Sequence, residues 1–318
     1  MIRRIKLAQE MGYCWGVRRA LDIIEAAGDP ADPVATIGDV IHNPQVVDRL
    51  RATGIDTRTT IPLAAVDGYR RVAITAHGAG PHMANEASEH GVDLLDTTCP
   101  LVTKVQRLAQ KLVKQGYSIV VYGDSYHPEV KGIIGWSGTT RAYPAKKLKD
   151  LPWTGPRGST DPDVEIPPRK VAVVSQTTKN SDEFMAFCNA LSAWVLPEGG
   201  ELRICNTICE PTYTRQNALK DLAREVDLIL AIGGKKSSNT ARLAEVGQQL
   251  GVTSHHIECA EDIQWEWLDA VAGDVGITAG ASTPDDVIAD VIDYLVERGF
   301  EPPEEGLREH DPEATPAY

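Results

Sequence analysis

The sequence predicts an α/β protein built from three similar units, each with a short, mainly parallel sheet. Three cysteines, Cys14, Cys99 and Cys209, each follow a short apolar stretch and precede a helical pattern. A glycine stands 24 residues after each of these cysteines, at Gly38, Gly123 and Gly233. Because one spacing occurs three times, the chain is predicted to contain an internal repeat.

The first element after each cysteine is predicted to be an amphipathic helix. Apolar residues recur there at spacings of three and four, which places them on one helical face. They are Val17, Leu21 and Ile24 after Cys14; Leu101, Val105, Leu108 and Leu112 after Cys99; and Ala218, Leu219 and Leu222 after Cys209. Each cysteine is therefore expected at a strand-to-helix junction.

The second element is a short apolar strand that ends at the repeated glycine. Four residues after the glycine come His42, His127 and Ser237, each opening a loop that leads into another helix. A further buried strand then begins at Val72, Val171 or Val275 and runs into a polar loop. Functional loops in parallel sheets lie at the carboxyl ends of the strands, so these polar residues are site candidates.

The repeat also sets the predicted domain boundaries. We expect domains at 15–98, 99–205 and 206–300, with the third completed by the N-terminal strand 1–14. The last segment, 301–318, is acidic and without periodicity, so it is expected to be a mobile tail. If the domains meet around a pseudo-threefold axis with their strand ends inward, the three cysteines converge on one central cavity.

Composition excludes several classes of protein. The formal net charge is −13, with 32 basic and 45 acidic residues, which disfavours nucleic acid and anionic membranes as partners. The sequence has no apolar run long enough to span a bilayer and no signal-peptide pattern, so a cytoplasmic location is expected. Six cysteines are too few for a disulfide scaffold in a chain of 318 residues.

Three convergent cysteines favour a metal centre. A structural zinc site usually takes four protein ligands, whereas three thiolates on a 4Fe-4S cubane leave one iron open to substrate. Cys188 and Cys259 have no counterparts in the repeat and are interpreted as small core residues. Cys205 also lacks counterparts but stands four residues before Cys209, so it stays open as an alternative ligand.

The polar loops provide many hydrogen-bond donors and few fixed positive charges, which suits a phosphate or diphosphate. The candidate donors are His42, His77, His127, Ser237, Ser238, Asn239 and Ser282. An alternative interpretation of the Ser-Ser-Asn run, taken alone, is a helix N-cap. Glu129 is the one carboxylate at an equivalent position and is a candidate proton donor, with Thr177 as its expected hydroxyl neighbour.

Nine motifs, in order along the chain, resemble the 4-hydroxy-3-methylbut-2-enyl diphosphate reductase (LytB/IspH) family. They are Gly12-Tyr13-Cys14-Trp15-Gly16-Val17-Arg18-Arg19-Ala20, Ile41-His42-Asn43-Pro44, Ala76-His77-Gly78, Asp96-Thr97-Thr98-Cys99-Pro100-Leu101-Val102-Thr103-Lys104-Val105, His127-Pro128-Glu129-Val130, Ser175-Gln176-Thr177-Thr178, Asn206-Thr207-Ile208-Cys209, Ser237-Ser238-Asn239 and Thr278-Ala279-Gly280-Ala281-Ser282. They run from residue 12 to about residue 290 and leave out little besides the acidic tail.

The resemblance implies an iron-sulfur oxidoreductase with one 4Fe-4S cluster on Cys14, Cys99 and Cys209, whose free iron binds the allylic oxygen of the substrate. It implies that the diphosphate is bound by His42, His77, His127, Ser237, Ser238, Asn239 and Ser282. Thr177 would also bind the substrate, and Glu129, Thr177 and His127 would serve catalysis. A ferredoxin or flavodoxin would supply two electrons, one at a time. The products would be isopentenyl and dimethylallyl diphosphate, formed in the last step of the non-mevalonate pathway of isoprenoid biosynthesis.

Two other functions remain open at this point. A quinolinate synthase-like lyase also resembles a threefold α/β assembly around a three-cysteine cluster. The Ser237-Ser238-Asn239 and His127-Pro128-Glu129 segments favour the reductase over it. A non-enzymatic iron-sulfur sensor would not require a dense ring of anion donors around an open iron.

Overall fold

The computed structural model describes residues 3–307 of the chain. In chain order the strands are β1 (Ile5–Leu7), β2 (Val34–Ile37), β3 (Ile55–Arg58), β4 (Arg71–Ile74), β5 (Asp93–Asp96), β6 (Ser118–Tyr122), β7 (Ala142–Ala145), β8 (Lys170–Ser175), β9 (Glu201–Ile204), β10 (Leu228–Ile232), β11 (Thr253–Ile257) and β12 (Val275–Ala279). The helices are α1 (Trp15–Ala27), α2 (Pro44–Arg51), α3 (Ile61–Val66), α4 (His82–Glu89), α5 (Pro100–Lys114), α6 (Pro128–Ser137), α7 (Ser181–Val195), α8 (Glu210–Leu222), α9 (Ser238–Gln249), α10 (Trp265–Asp269) and α11 (Asp285–Val296).

The strands form three four-stranded sheets with the same order. The orders are β3-β2-β4-β5, β7-β6-β8-β9 and β11-β10-β12-β1, and all the pairings between these strands are parallel. In the third sheet, the edge position that β5 and β9 occupy in the others is taken by the N-terminal strand β1. Three α/β units with short parallel sheets confirm the predicted fold class.

The described residues separate into two compact units. We call residues 3–26, 39–54 and 210–307 the terminal unit, and residues 27–38 and 55–209 the central unit. The terminal unit contains the sheet of β1, β10, β11 and β12, and the central unit contains the other two sheets. The predicted boundaries at 15–98, 99–205 and 206–300 follow the sheets rather than these units, and they stay predictions.

Buried aliphatic strands explain why these sheets form. Every residue of β6, β10 and β12 is buried, as expected for central strands covered by helices on both faces. In the central unit, α5 packs against α6 and against β6. Among the described residues, no helix is long and apolar enough to cross a bilayer.

The sequence did not reveal the strands β3, β7 and β11, each of which forms one edge of its sheet. The residues of β3 and β11 are largely polar, and β7 contains Pro144, which has no N–H to donate. Edge strands tolerate such residues because one side of the strand makes no ladder hydrogen bonds.

The buried faces of the helices differ slightly from the predicted stripes. In α5 the buried residues are Val102, Val105, Gln106, Ala109 and Leu112, while the predicted Leu101 and Leu108 are only partly buried. The α8 stripe of Ala218, Leu219 and Leu222 is buried as predicted.

The predicted tail 301–318 lies only partly within the described part of the chain. Its first residue, Glu301, forms a parallel bridge with Arg4 at the start of β1. The Ile5 N–H donates to the Glu301 carbonyl at 3.0 Å, and the Glu301 N–H donates to the Arg3 carbonyl at 2.9 Å. Residues 308–318 lie outside the described residues.

Candidate active site

The three repeat cysteines occupy equivalent positions at the ends of edge strands. Cys14 follows β1 and directly precedes α1, Cys99 is the N-cap of α5 after β5, and Cys209 follows β9 and directly precedes α8. The backbone N–H of each cysteine donates to a carbonyl beyond the neighbouring strand. The acceptors are Ala281 for Cys14 at 3.2 Å, Ala76 for Cys99 at 3.0 Å and Thr177 for Cys209 at 3.0 Å. The predicted strand-to-helix junctions are confirmed.

In the central unit, a repeated turn holds the backbone before Cys99 and Cys209. Asp96 Oδ1 accepts the Thr98 N–H at 2.9 Å, and Asn206 Oδ1 accepts the Ile208 N–H at 3.2 Å. These are Asx turns, which fix the chain direction just before a helix.

The threonine inside each turn fixes it to the adjacent strand. The Thr97 and Thr207 hydroxyls both donate to carbonyls of that strand at 2.6 Å. The motif Asp/Asn-Thr-X-Cys therefore encodes one local structure twice.

The terminal unit holds Cys14 by different means. Gly12 adopts a φ of 75°, a conformation that favours glycine, and its N–H donates to the Ala279 carbonyl at 3.3 Å. The buried Arg215 reaches back from α8 and donates Nη2–H to the Gly12 carbonyl at 2.7 Å. Gly12 and the buried Arg215 thus fix the backbone before Cys14, as the Asx turns fix it before Cys99 and Cys209.

The donor set suits a metal centre with three thiolate ligands. Cys14, Cys99 and Cys209 form no disulfide and are half-buried, so their thiols are neither consumed in cross-links nor sealed in a core. Cys188 is fully buried in α7, and burial raises the pKa of its thiol to about 12, so it is not a ligand candidate. Cys205 packs against the apolar core of the second sheet.

Glu129 is the buried carboxylate of the central unit. It lies in the first turn of α6 and is 2% exposed. Its Oε1 accepts the Thr177 N–H at 2.7 Å, and its Oε2 accepts the Thr177 hydroxyl at 3.0 Å. The predicted pairing with Thr177 is therefore present in the structure.

The pKa of Glu129 is raised from an ordinary 4.5 to about 7. Burial is the main cause, because it disfavours the charged form. The two Thr177 hydrogen bonds and the Lys179 ammonium oppose the shift. A carboxyl group with a pKa near 7 can both donate and accept a proton at neutral pH, as a general acid requires.

His127 and His77 lie together in the central unit. Their rings meet edge to face, with the centroids 5.4 Å apart. His127 caps α6 because its Nδ1 accepts the Glu129 N–H at 3.2 Å, which leaves the proton of the neutral imidazole on Nε2. His77 Nδ1 lies 3.3 Å from the Thr75 hydroxyl. The structure therefore places two predicted donors and Glu129 in one region.

His42 and the serine loops belong to the terminal unit. His42 stands in the loop before α2, and a methyl group at Gly234 would collide with the His42 carbonyl, so this loop packs closely on the loop after β10. Burial lowers the pKa of His42, and the nearby Lys236 adds to that effect, whereas Asp39 opposes it. The lowered pKa favours the uncharged imidazole of His42, which can donate one hydrogen bond.

Ser237 is the N-cap of α9. Its Oγ accepts both the Thr240 N–H at 3.3 Å and the Thr240 hydroxyl at 3.0 Å. The cap interpretation of this serine is confirmed. Because its oxygen already accepts two bonds, the capacity that remains for a ligand is its own O–H donor.

Asn239 and Ser282 are buried donors with unsatisfied side chains. Asn239 is 5% exposed and Ser282 is 7% exposed. Both amide atoms of Asn239 and the Ser282 hydroxyl have no hydrogen-bond partner within residues 3–307. Leaving a buried polar group unpaired costs about 1–3 kcal/mol, so these side chains are suited to a polar ligand that would satisfy them.

The sequence did not identify two candidate functional residues of the central unit, Lys179 and Gln106. Lys179 is 7% exposed and acts on Glu129 electrostatically. Gln106 lies on the buried face of α5, and its Nε2 would contact side chains introduced at Gly78 or Gly132, so it supports the loop that follows His77. Gln106 resembles an ordinary helix residue in sequence, and only its buried position distinguishes it.

Known proteins resemble this chain over most of its length. The family model described as "LytB protein" matches residues 5–296. A 4-hydroxy-3-methylbut-2-enyl diphosphate reductase from Dehalococcoides mccartyi strain CBDB1 is 38% identical over 293 residues, which cover 92% of this chain and 97% of the relative. A reductase of the same name from Anaeromyxobacter sp. strain Fw109-5 is 38% identical over 300 residues, covering 94% and 98%.

Two solved structures share the fold. One, described as (E)-4-hydroxy-3-methyl-but-2-enyl diphosphate reductase, the terminal enzyme of the non-mevalonate pathway, matches with a TM-score of 0.63 and 34% identity. That match covers 93% of this chain and the whole of the other. A second, from Plasmodium falciparum, matches with a TM-score of 0.83 at 23% identity, over 99% of this chain and 96% of the other, and supports the fold alone.

Proposed function

Because the chain belongs to the LytB protein family, we propose that it is a reductase acting on 4-hydroxy-3-methylbut-2-enyl diphosphate. The reaction removes the allylic hydroxyl as water, with two electrons and two protons, and gives isopentenyl or dimethylallyl diphosphate. The observation that carries this function is the threefold repeat of a half-buried cysteine between an edge strand and a helix. The relatives named as reductases leave the lyase alternative without support.

Cys14, Cys99 and Cys209 are the residues that would hold one 4Fe-4S cluster. A cluster with three protein thiolates supplies one-electron chemistry and one iron open to a substrate oxygen. This assignment requires the cysteine-bearing ends of the three sheets to face a common centre, as the pseudo-threefold prediction states. It also requires reduced thiols, which is consistent with the proposed cytoplasmic location.

The diphosphate would be bound by the histidine and serine loops. Neutral imidazole N–H, hydroxyl and amide groups donate to phosphate oxygens without the strong hydration of ammonium groups. We assign this role to His42, His77, His127, Ser237, Ser238, Asn239 and Ser282. The unpaired atoms of Asn239 and Ser282 support the assignment most directly, since a ligand would complete their hydrogen bonding.

Glu129 would supply protons to the departing oxygen. Burial keeps much of its carboxyl group protonated near pH 7, and Thr177 holds both oxygens in place. The Thr177 hydroxyl can pass a proton between Glu129 and the substrate, and His127 orients the first turn of α6 through the Glu129 N–H. Proton transfer is thus assigned to the chain's own residues.

The direct test is an anaerobic assay of the iron-reconstituted protein. We expect consumption of 4-hydroxy-3-methylbut-2-enyl diphosphate with a chemical reductant such as dithionite, and formation of both five-carbon diphosphates. A protein that contains the cluster but leaves this substrate unchanged would refute the proposed reaction.

Inorganic diphosphate binding tests the anion site separately. His42→Ala, His127→Ala and Ser282→Ala in the cluster-loaded protein should each weaken diphosphate binding about tenfold or more, as expected when a hydrogen bond to a charged group is lost. The neutral serine should have the smallest effect. Isothermal titration gives the affinities, and an unchanged Kd in all three variants would contradict the assignment.

Ser118→Ala is a matched control for Ser282→Ala. Ser118 also has a buried hydroxyl without a partner among the described residues, but it lies at the first residue of β6, the strand end opposite the site loops. Both substitutions remove an unsatisfied polar group, so neither should lower the thermal stability of the ligand-free protein appreciably. Only Ser282→Ala should reduce diphosphate affinity.

A further inference from the structure

The charge on α5 differs from that of the whole chain. This helix contains Lys104, Arg107, Lys111 and Lys114 and no acidic residue, in a protein with a formal net charge of −13. By contrast, α11 contains four aspartates and no basic residue. Helix α5 is therefore locally basic in a protein that is acidic overall.

The four basic residues form one stripe on the solvent side of α5. Their spacings of three, four and three residues put them on a single helical face, opposite the buried face of Val102, Val105, Ala109 and Leu112. All four are exposed. At 1.5 Å per residue the stripe is about 15 Å long.

None of these four side chains takes part in an ion pair or side-chain hydrogen bond with any other residue in 3–307. Some other exposed cations on this protein do have acidic partners, such as Lys146 with Asp124 and Arg49 with Asp286. At the far end of the helix, Arg203 donates to the Gln115 side chain and adds a fifth cation. An unpaired basic stripe of this kind attracts an acidic surface.

The basic stripe also begins close to one of the proposed cluster ligands. Cys99 is the N-cap of α5, and Lys104 is five residues further along, about 7.5 Å by helical rise. A carrier bound along the stripe would therefore lie near one of the proposed cluster ligands. The proposed reaction requires two electrons delivered singly, so the protein needs a surface on which a one-electron carrier can dock.

We propose that the exposed basic stripe of α5, Lys104, Arg107, Lys111 and Lys114, is the docking surface for an acidic one-electron carrier protein. In each encounter the carrier is oxidised by one electron and the enzyme is reduced by one, so two encounters serve one turnover. The carrier's acidic surface replaces the partners that the stripe lacks in the chain. The electrostatic attraction also overcomes the repulsion that a net charge of −13 would otherwise exert on an acidic protein.

The test uses Lys111→Glu/Lys114→Glu, with Lys147→Glu/Lys149→Glu as the matched control. Both double variants make the same change in net charge at exposed positions of the central unit. Binding of oxidised, acidic flavodoxin to the cluster-loaded protein is measured by titration at low ionic strength. We expect the α5 variant to bind at least tenfold more weakly than wild type and the control to bind within about twofold. The difference should shrink at high salt, because a Debye length of about 10 Å at 0.1 M screens such contacts.

Because this inference rests on the proposed function, turnover with dithionite is measured on the same samples. That small reductant needs no docking surface, so the α5 variant should keep wild-type turnover with it and lose turnover only with reduced flavodoxin. Wild type inactive with dithionite would contradict the proposed function. Normal dithionite turnover combined with equal flavodoxin binding by the α5 variant and the control would overturn the docking surface alone. The milder Arg107→Gln/Lys111→Gln variant should show a smaller loss in the same direction.

Discussion

Replacing Cys99 with serine is expected to abolish cluster assembly and with it all measurable reductase activity. Serine keeps the size and the N-cap position, but its hydroxyl is a far poorer ligand for iron than a thiolate. Because the Cys99 N–H bond to the Ala76 carbonyl involves only backbone atoms, the turn itself should survive. Iron and sulfide per chain, measured after anaerobic purification, should fall to near zero in Cys99→Ser.

The equivalent positions of the three cysteines extend this expectation. Cys14→Ser and Cys209→Ser should be as severe as Cys99→Ser, since each stands between an edge strand and a helix with a matching backbone hydrogen bond. Cys188→Ala is the matched control, because this thiol is fully buried in α7. Cys205→Ala tests the alternative ligand. Full iron content in any of the three repeat variants, or loss of iron from Cys188→Ala, would contradict the ligand assignment.

The repeat could be predicted from the sequence because the residues that define it have local structural roles. Glycines after β2, β6 and β10 and cysteines before α1, α5 and α8 stand at fixed distances, and the structure places each where the spacing predicts. The N-terminal strand β1 pairs with β12 in the third sheet, while the predicted domain boundaries stay predictions. Such features depend on neighbouring residues, and a single sequence is sufficient to show them.

What the sequence did not predict depends on distant contacts. The edge strands β3, β7 and β11 have no apolar pattern of their own and form only because a neighbouring strand offers its backbone. Gln106 and Lys179 gain their roles from burial next to loops far away in the chain. Lys104 belongs to one of the nine motifs named above. Only the folded structure shows that the four basic residues of α5 have no acidic partners among the described residues.

Glu129→Gln is expected to bind the cluster and diphosphate normally but to lose about 10²- to 10⁴-fold in turnover, the usual value of general acid catalysis. Glutamine has the same shape, can still accept the Thr177 N–H through its oxygen, and can donate to the Thr177 hydroxyl oxygen through its amide. What it cannot do is give up a proton. Glu266→Gln, at an exposed first-turn glutamate of α10, is the control and should retain full activity.

The pH dependence separates a catalytic role for Glu129 from a structural one. Because the pKa of Glu129 is about 7, its protonated fraction falls as pH rises through 7, and wild-type turnover should fall with it.

Folding stability should also depend on the protonation of Glu129. Its pKa rises from 4.5 to about 7 on folding, so its contribution to the free energy of unfolding is lost as pH increases between these values. Glu129→Gln should lack both effects, with low and pH-independent turnover and a stability that gains on wild type as pH rises from 4.5 to about 7. Thr177→Val removes one hydrogen bond to the carboxylate and also the relay hydroxyl. It should raise the pKa of Glu129 further, lower turnover and move the fall of the remaining turnover to higher pH, and Thr177→Ser should restore both. If Glu129→Gln turned over within twofold of wild type, the proton would have to come from another group.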